Sequence, residues 1–334
     1  MMLPSVAAAA SARGRRVAPG GVTLQSDWIA RSTGAGVTFA TDFSGVNDFV
    51  TASTNGGHVF APGMDPTALG YVVKDTTDGL TNGCCLRIDT PASVGANGAS
   101  WMFPFDDGWT ANSQSFGTAE FYIQFRFKIP ASRLTLSNCG GNQRGWKWMN
   151  IAQYSPTNTQ SQSFSNTAAE VVLQDTDQRG LPQAYHQDGS SFPPFQGSAG
   201  GQITLQTAID RGAAFSGGDR YCHYPNGTPA CEFWPTDEWV TFMVRLRIQT
   251  YSGSTGNEFD LFYARRGATQ WTQLFNDRAF TLGSPNSSGG GFTGLNGGHF
   301  LTYETNRINS TEDTWHKYDQ VIVSTQEIAI PAPI

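Results

Sequence analysis

The chain has 334 residues, a formal charge of −6, and only 14% of its residues are Asp, Glu, Lys or Arg. The acidic balance excludes a general nucleic-acid binder, which needs a surplus of basic residues, and no run of about 18 apolar residues reads as a membrane-spanning helix. Its 38 Gly and 12% aromatic content suit short strands joined by long loops better than a helical metabolic enzyme.

Residues 1–24 read as an Ala/Arg/Gly arm that tethers the chain to a partner. The apolar stretch comes first, and Arg13, Arg15 and Arg16 follow it. That is the reverse of the order an export signal needs. Outside this Ala-rich arm no amphipathic helix and no internal repeat is expected. Residues 25–334 read as a single all-β domain, long enough to bury a large core.

The clearest strand is Glu120–Ile129. Phe121, Ile123, Phe125, Phe127 and Ile129 alternate with Tyr122, Gln124, Arg126 and Lys128, so one face is expected to be buried and the other wet. Further strands are expected at Trp146–Gln153, Glu170–Asp175 and Trp239–Tyr251. In the last, Val240, Phe242, Val244, Leu246 and Ile248 face in and Arg245 and Arg247 face out. Glu258–Ala264, His299–Glu304 and Tyr318–Thr325 complete the set, and strands at this spacing predict a two-sheet sandwich. The Gly-rich stretch Ser284–Gly298 precedes no helix, so it reads as a loop and not as a phosphate cradle.

Cys222 and Cys231 bracket a turn-rich segment that a disulfide would close, and five reduced thiols explain the odd cysteine count equally well. His58, His186, His223, His299 and His316 are scattered without metal-ligand spacing, so no zinc site is expected. A structural Ca²⁺ would draw on Asp106, Asp107, Asp175, Asp177 and Asp188, whose positions turn chemistry also explains. Otherwise no cofactor is expected.

Three stretches carry a resemblance to the concanavalin A-like jelly roll, the group of legume-type lectins, family-16 glucanases and several polysaccharide lyases. They are EFYIQFRFKI, then EWVTFMVRLRIQT with EFDLFYARRG, and the closing WHKYDQVIVSTQEIAIP. This likeness spans roughly residues 100–330 and implies an all-β, two-sheet jelly-roll sandwich with long loops. A narrower one, in VVLQDTDQRGLPQAYHQDG, TWHKYDQVIVSTQEI and the arm, looks like lectin-like virion proteins encoded by tailed phages and prophages.

The family-16 pattern E-x-D-x-x-E is incomplete. Glu258 and Asp260 match, but Tyr263 stands where the third carboxylate belongs, and retaining chemistry needs two carboxyl groups about 5 Å apart. β-Elimination by a lyase needs a group that neutralises a uronate carboxylate and a Tyr or His that moves the adjacent proton. Its candidates are Arg126, Gln174, Tyr185 and His186, although the lyase tripeptide Q-x-H and its companion motifs are not intact. Tyr122, Gln124, Arg126, Lys128, Arg245 and Arg247 form a candidate binding face for an acidic polysaccharide or a neighbouring protein. Trp101, Trp109, Trp234 and Trp271 are candidate loop aromatics for stacking on sugars.

The phage-like pattern, the basic arm and the incomplete catalytic sets together favour a virion structural protein on the exterior of a tailed phage. It would be a capsid-decoration or tail-associated module, homo-oligomeric, joined to other virion proteins through residues 1–24, with host-surface carbohydrate as a further ligand. The alternative is a secreted polysaccharide lyase acting on acidic glycans, or a non-catalytic carbohydrate-binding module.

Overall fold

The fold is seen in a computed structural model. The structure describes residues 23–45, 58–60, 72–90, 100–105, 120–134, 145–152, 170–176, 183–187, 235–248, 257–280, 295, 297–302, 304–305 and 313–332. Two antiparallel sheets pack face to face as a jelly-roll sandwich.

The first sheet has eight strands: β1 (Val37–Thr41), β3 (Val72–Asp75), β4 (Cys85–Thr90), β6 (Glu120–Lys128), β10 (Val240–Arg247), β11 (Asn257–Ala264), β12 (Thr272–Phe280) and β15 (Thr314–Ser324). Their order is β12-β11-β10-β6-β15-β4-β3, with β1 also paired to β15. The second sheet has seven: β2 (His58–Phe60), β5 (Ser100–Pro104), β7 (Gly145–Ala152), β8 (Glu170–Thr176), β9 (Gln183–Gln187), β13 (Gly297–Leu301) and β14 (Glu304–Thr305). Their order is β2-β5-β13-β7-β8-β9, with β14 paired to β7. The expected strands all form. That at Trp239–Tyr251 is shorter, and the last begins four residues earlier, at Thr314. The final Gly297–Gly298 of the expected Gly-rich loop belong to β13.

Period-two alternation builds the core. Phe121, Ile123, Phe125 and Phe127 of β6 meet Phe242, Val244 and Leu246 of β10 on the inner side. Trp146 and Trp148 of β7 and Phe300 of β13 face them from the other sheet. Phe300 stacks on Tyr318 with ring centroids 4.0 Å apart and planes 12° from parallel. Trp101, an expected loop aromatic, is instead fully buried here, between Phe43 at 4.9 Å and Phe103 at 5.5 Å.

One helix was not foreseen. α1 (Leu24–Ser32) begins at the last residue assigned to the arm and runs into the domain. A capping box starts it: Thr23 Oγ1 accepts from Ser26 N, and Ser26 Oγ accepts from Thr23 N. Its inward side carries Asp27, Trp28 and Arg31, so no apolar stripe announces it. Trp28 joins Tyr122, Met243, Ile322 and Ile328 in a second, smaller cluster on the outer face of the eight-stranded sheet. Trp271 packs against that cluster and is only partly exposed.

Candidate functional site

The expected binding face is mostly closed. Gln124, Arg126 and Tyr122 lie on the outer side of β6, but α1 and the C-terminal segment cover them, leaving 0%, 7% and 7% exposed. Arg31 explains why. Its guanidinium donates to Asp27 Oδ2 from Nε (3.0 Å) and Nη2 (2.8 Å), to Gln124 Oε1 (2.6 Å) and to Gln320 Oε1 (2.7 Å). Gln124 Nε2 donates to the Ala329 carbonyl, and Asp27 Oδ1 accepts from Ala332 N. The expectation of a wet face fails at these residues because polar alternation marks the outer side of a strand but not what packs onto it.

The rest of that face is tied up in ion pairs. Lys128 and Lys317 both reach Asp78, at 2.9 and 2.8 Å. Arg245 contacts Glu120, Glu258 and Asp260 at 2.7, 2.9 and 2.6 Å, and Arg247 contacts Glu258 at 3.2 Å. Hydrogen bonding to Glu120, working against burial, raises the Arg245 pKa further above its ordinary value. Glu258 and Asp260, the two matches to the glucanase pattern, are thus bound to one guanidinium. Tyr263, where the third acid would stand, lies in the core.

The outer face of the seven-stranded sheet is built differently. Trp101, Phe103, Met149, Ile151, Phe300, Val171, Leu173 and Ala184 line its core side. The positions between them form one row across six strands: His58, Met102, His299, Asn150, Val172 and Tyr185 are opposite one another in register. The next row holds Lys147, Gln174 and Gln183. A bulge in β7 between Lys147 and Met149 creates this arrangement, because it lets the neighbours Trp148 and Met149 both join the core while Lys147 keeps register with Gln174.

His299 and Asn150 occupy adjacent central strands and are fully buried. Burial pushes the His299 pKa down to about 3, so its imidazole is neutral at ordinary pH. Under this row, two residues of β15 reach across the core. Tyr318 Oη donates to the Trp148 carbonyl at the bulge (2.7 Å), and His316 Nδ1 lies 3.0 Å from the Leu301 carbonyl. Burial, then the nearby Arg133 guanidinium, hold His316 well below the usual imidazole pKa.

The sequence-based candidates therefore separate. Gln174 and Tyr185 hold register positions on this outer face, whereas His186 is opposite Val171, a core residue. Arg126 belongs to the other sheet, so the expected set of Arg126, Gln174, Tyr185 and His186 is not one site. Two residues of the row, His299 and Asn150, were not singled out. Their signal was present: Asn150 stands between Met149 and Ile151, and His299 precedes Phe300, each a polar residue in a core-type strand. Trp109, Trp234, Cys222, Cys231, His223, Asp106, Asp107, Asp177 and Asp188 lie outside the described residues. Among the described residues no group of three His, Cys, Asp or Glu is placed to hold a metal ion.

No family model matches the chain, and no curated protein matches it. Similar solved structures include the marine PL-14 alginate lyase from Aplysia kurodai, at 10% identity over 82% of this chain and 100% of that one, with a TM-score of 0.45. An endo-β-1,4-glucuronan lyase from Trichoderma reesei matches at 8% identity over 76% and 87%, TM-score 0.41. The catalytic domain of a glycoside hydrolase family 131 protein from Coprinopsis cinerea matches at 12% identity over 90% and 98%, TM-score 0.40. At these values the functional reading rests on the chain's own residues.

Proposed function

We propose that the chain is a polysaccharide lyase that cleaves an acidic, uronate-containing glycan by β-elimination on the outer face of the seven-stranded sheet. One observation carries this reading: His299 and Asn150 are register partners at the centre of that sheet, in a row whose end position is Tyr185.

β-Elimination needs a group that neutralises the carboxylate and a base for the adjacent proton, and the centre of the row supplies a residue type for each. The Asn150 amide donates to the uronate carboxylate and spreads the charge that develops beside it. The neutral His299 imidazole accepts the proton from the carbon next to that carboxylate. The carbon–oxygen bond to the leaving sugar breaks as a carbon–carbon double bond forms, and the departing oxygen takes a proton from solvent water. A carboxylate arriving beside His299 favours the imidazolium, so substrate itself raises the basicity that burial suppresses. Because His299 and Asn150 are buried, the face has to open for a glycan chain to enter.

The test is ultraviolet absorbance from unsaturated uronates on a panel of acidic polysaccharides. Wild type should generate it. His299→Ala should lose roughly 10²–10⁴-fold in rate and Asn150→Ala a comparable factor, while His186→Ala stays active. No absorbance with any uronate polymer would overturn the reading, and glycan binding without absorbance would point to a carbohydrate-binding module. The virion reading rests on the phage-like pattern, the basic arm and the incomplete catalytic sets; residues 1–22 of the arm lie outside the described residues.

A further inference from the structure

The opposite face of the molecule carries a different feature, independent of the lyase reading. Gln320 sits at a bulge in β15, where register with β6 slips between Asp319 and Ile322. Its φ is +50°, a conformation that non-Gly residues adopt rarely. This turn brings its side chain to two buried guanidiniums. Gln320 Oε1 accepts from Arg31 Nη2 at 2.7 Å and from Arg126 Nε at 3.2 Å.

Donors outnumber acceptors there. Arg126 carries five N–H groups, and its hydrogen bonds go to two neutral oxygens, Gln320 Oε1 and Thr241 Oγ1 at 2.7 Å. Among the described residues it pairs with no carboxylate, although it is 7% exposed. Gln320 Nε2 is buried without an acceptor. The nearby carboxylates are already engaged. Asp27 holds Arg31 and Ala332 N. Asp319, opposite Arg126 in register, accepts from Leu80 N and Gln320 N, both at 2.7 Å. A buried charge without a counter-ion is costly, and so is a buried donor without an acceptor. One ligand relieves both.

We propose that Arg126 and the Gln320 amide bind a small oxyanion or carboxylate beneath α1, its oxygens accepting from the guanidinium and from Nε2. Arg31 supplies further positive potential. Burial, then the neighbouring Arg31, pull the Arg126 pKa down to about 9, the direction expected of a cation lacking its anion.

Thermal unfolding tests this, with inorganic sulfate or acetate titrated at low millimolar concentration in a constant sodium chloride background. The wild-type midpoint should rise saturably by roughly 2–4 °C. Arg126→Gln should lose the response. Gln320→Glu keeps both arginines and builds in the missing negative charge, so it should also lose the response while its ion-free midpoint equals or exceeds wild type. Its response keeps the test decisive if Arg126→Gln folds poorly. Equal rises in wild type and Gln320→Glu mean an adventitious ion only and overturn the proposal, as does a wild type that does not respond.

Discussion

Tyr318→Phe isolates one hydroxyl in the core. The ring stack on Phe300 at 4.0 Å and the contacts with Phe125 and Phe127 at 6.3 and 5.0 Å survive the change. What is lost is the donor to the Trp148 carbonyl, 2.7 Å away, which the bulge places out of register with both β8 and β13. The Leu301 carbonyl loses only a longer contact of 3.3 Å and keeps His316 Nδ1 at 3.0 Å. The cost is that of stripping one donor from a buried carbonyl, about 1–3 kcal/mol, which lowers the unfolding midpoint by roughly 2–6 °C in a domain of this size class. Urea unfolding should show a lower midpoint at unchanged slope. A loss under about 0.5 kcal/mol, well below the expected range, would refute the reasoning by showing that the Trp148 carbonyl has another donor in reach.

Four more outcomes follow from particular contacts. Gly298→Ala would place a Cβ 2.1 Å from the Phe103 ring, and the forced shift of a buried aromatic should cost about 1–3 kcal/mol by calorimetry. Burial raises the Asp319 carboxyl to about 8 from 3.8, so the folded state binds more protons than the unfolded one between those values and stability falls as pH rises from 4 to 8. Asp319→Asn should flatten that slope in a pH series of unfolding midpoints, and an unchanged slope would refute it. Burial works against Asp75, but its bonds to Lys317 and Thr77 leave it at about 2, so its contribution is present above pH 3.8 and is lost as pH falls towards 2. Arg245→Met takes the shared guanidinium from Glu120, Glu258 and the almost fully buried Asp260, while Arg247 still meets Glu258 and Gln273 still donates to Asp260, and should cost about 2 kcal/mol in chemical denaturation.

Much of the architecture was legible in the chain. Alternation in EFYIQFRFK and VTFMVRLR names the inward residues of β6 and β10 because a strand's side chains change face at every residue. Two sheets of such strands, each with one apolar face, have few ways to bury it other than against each other.

What the sequence alone left open was the environment of the outward residues. Tyr122, Gln124 and Arg126 read as solvated, yet a nine-residue helix and the closing segment, about 90 or more and 190 or more positions away in the chain, cover them. Asp27 and Arg31 replace water there: the Gln124 amide is held by Arg31 and by the Ala329 carbonyl instead of by solvent. The site followed the same rule. His299 and Asn150 are about 150 positions apart and meet only because β13 inserts between β5 and β7, while Arg126 and Tyr185, both drawn into one expected site, fall in different sheets. Period two determines which face of a strand a residue takes. Strand order and covering elements, set by long-range packing, determine what that face meets.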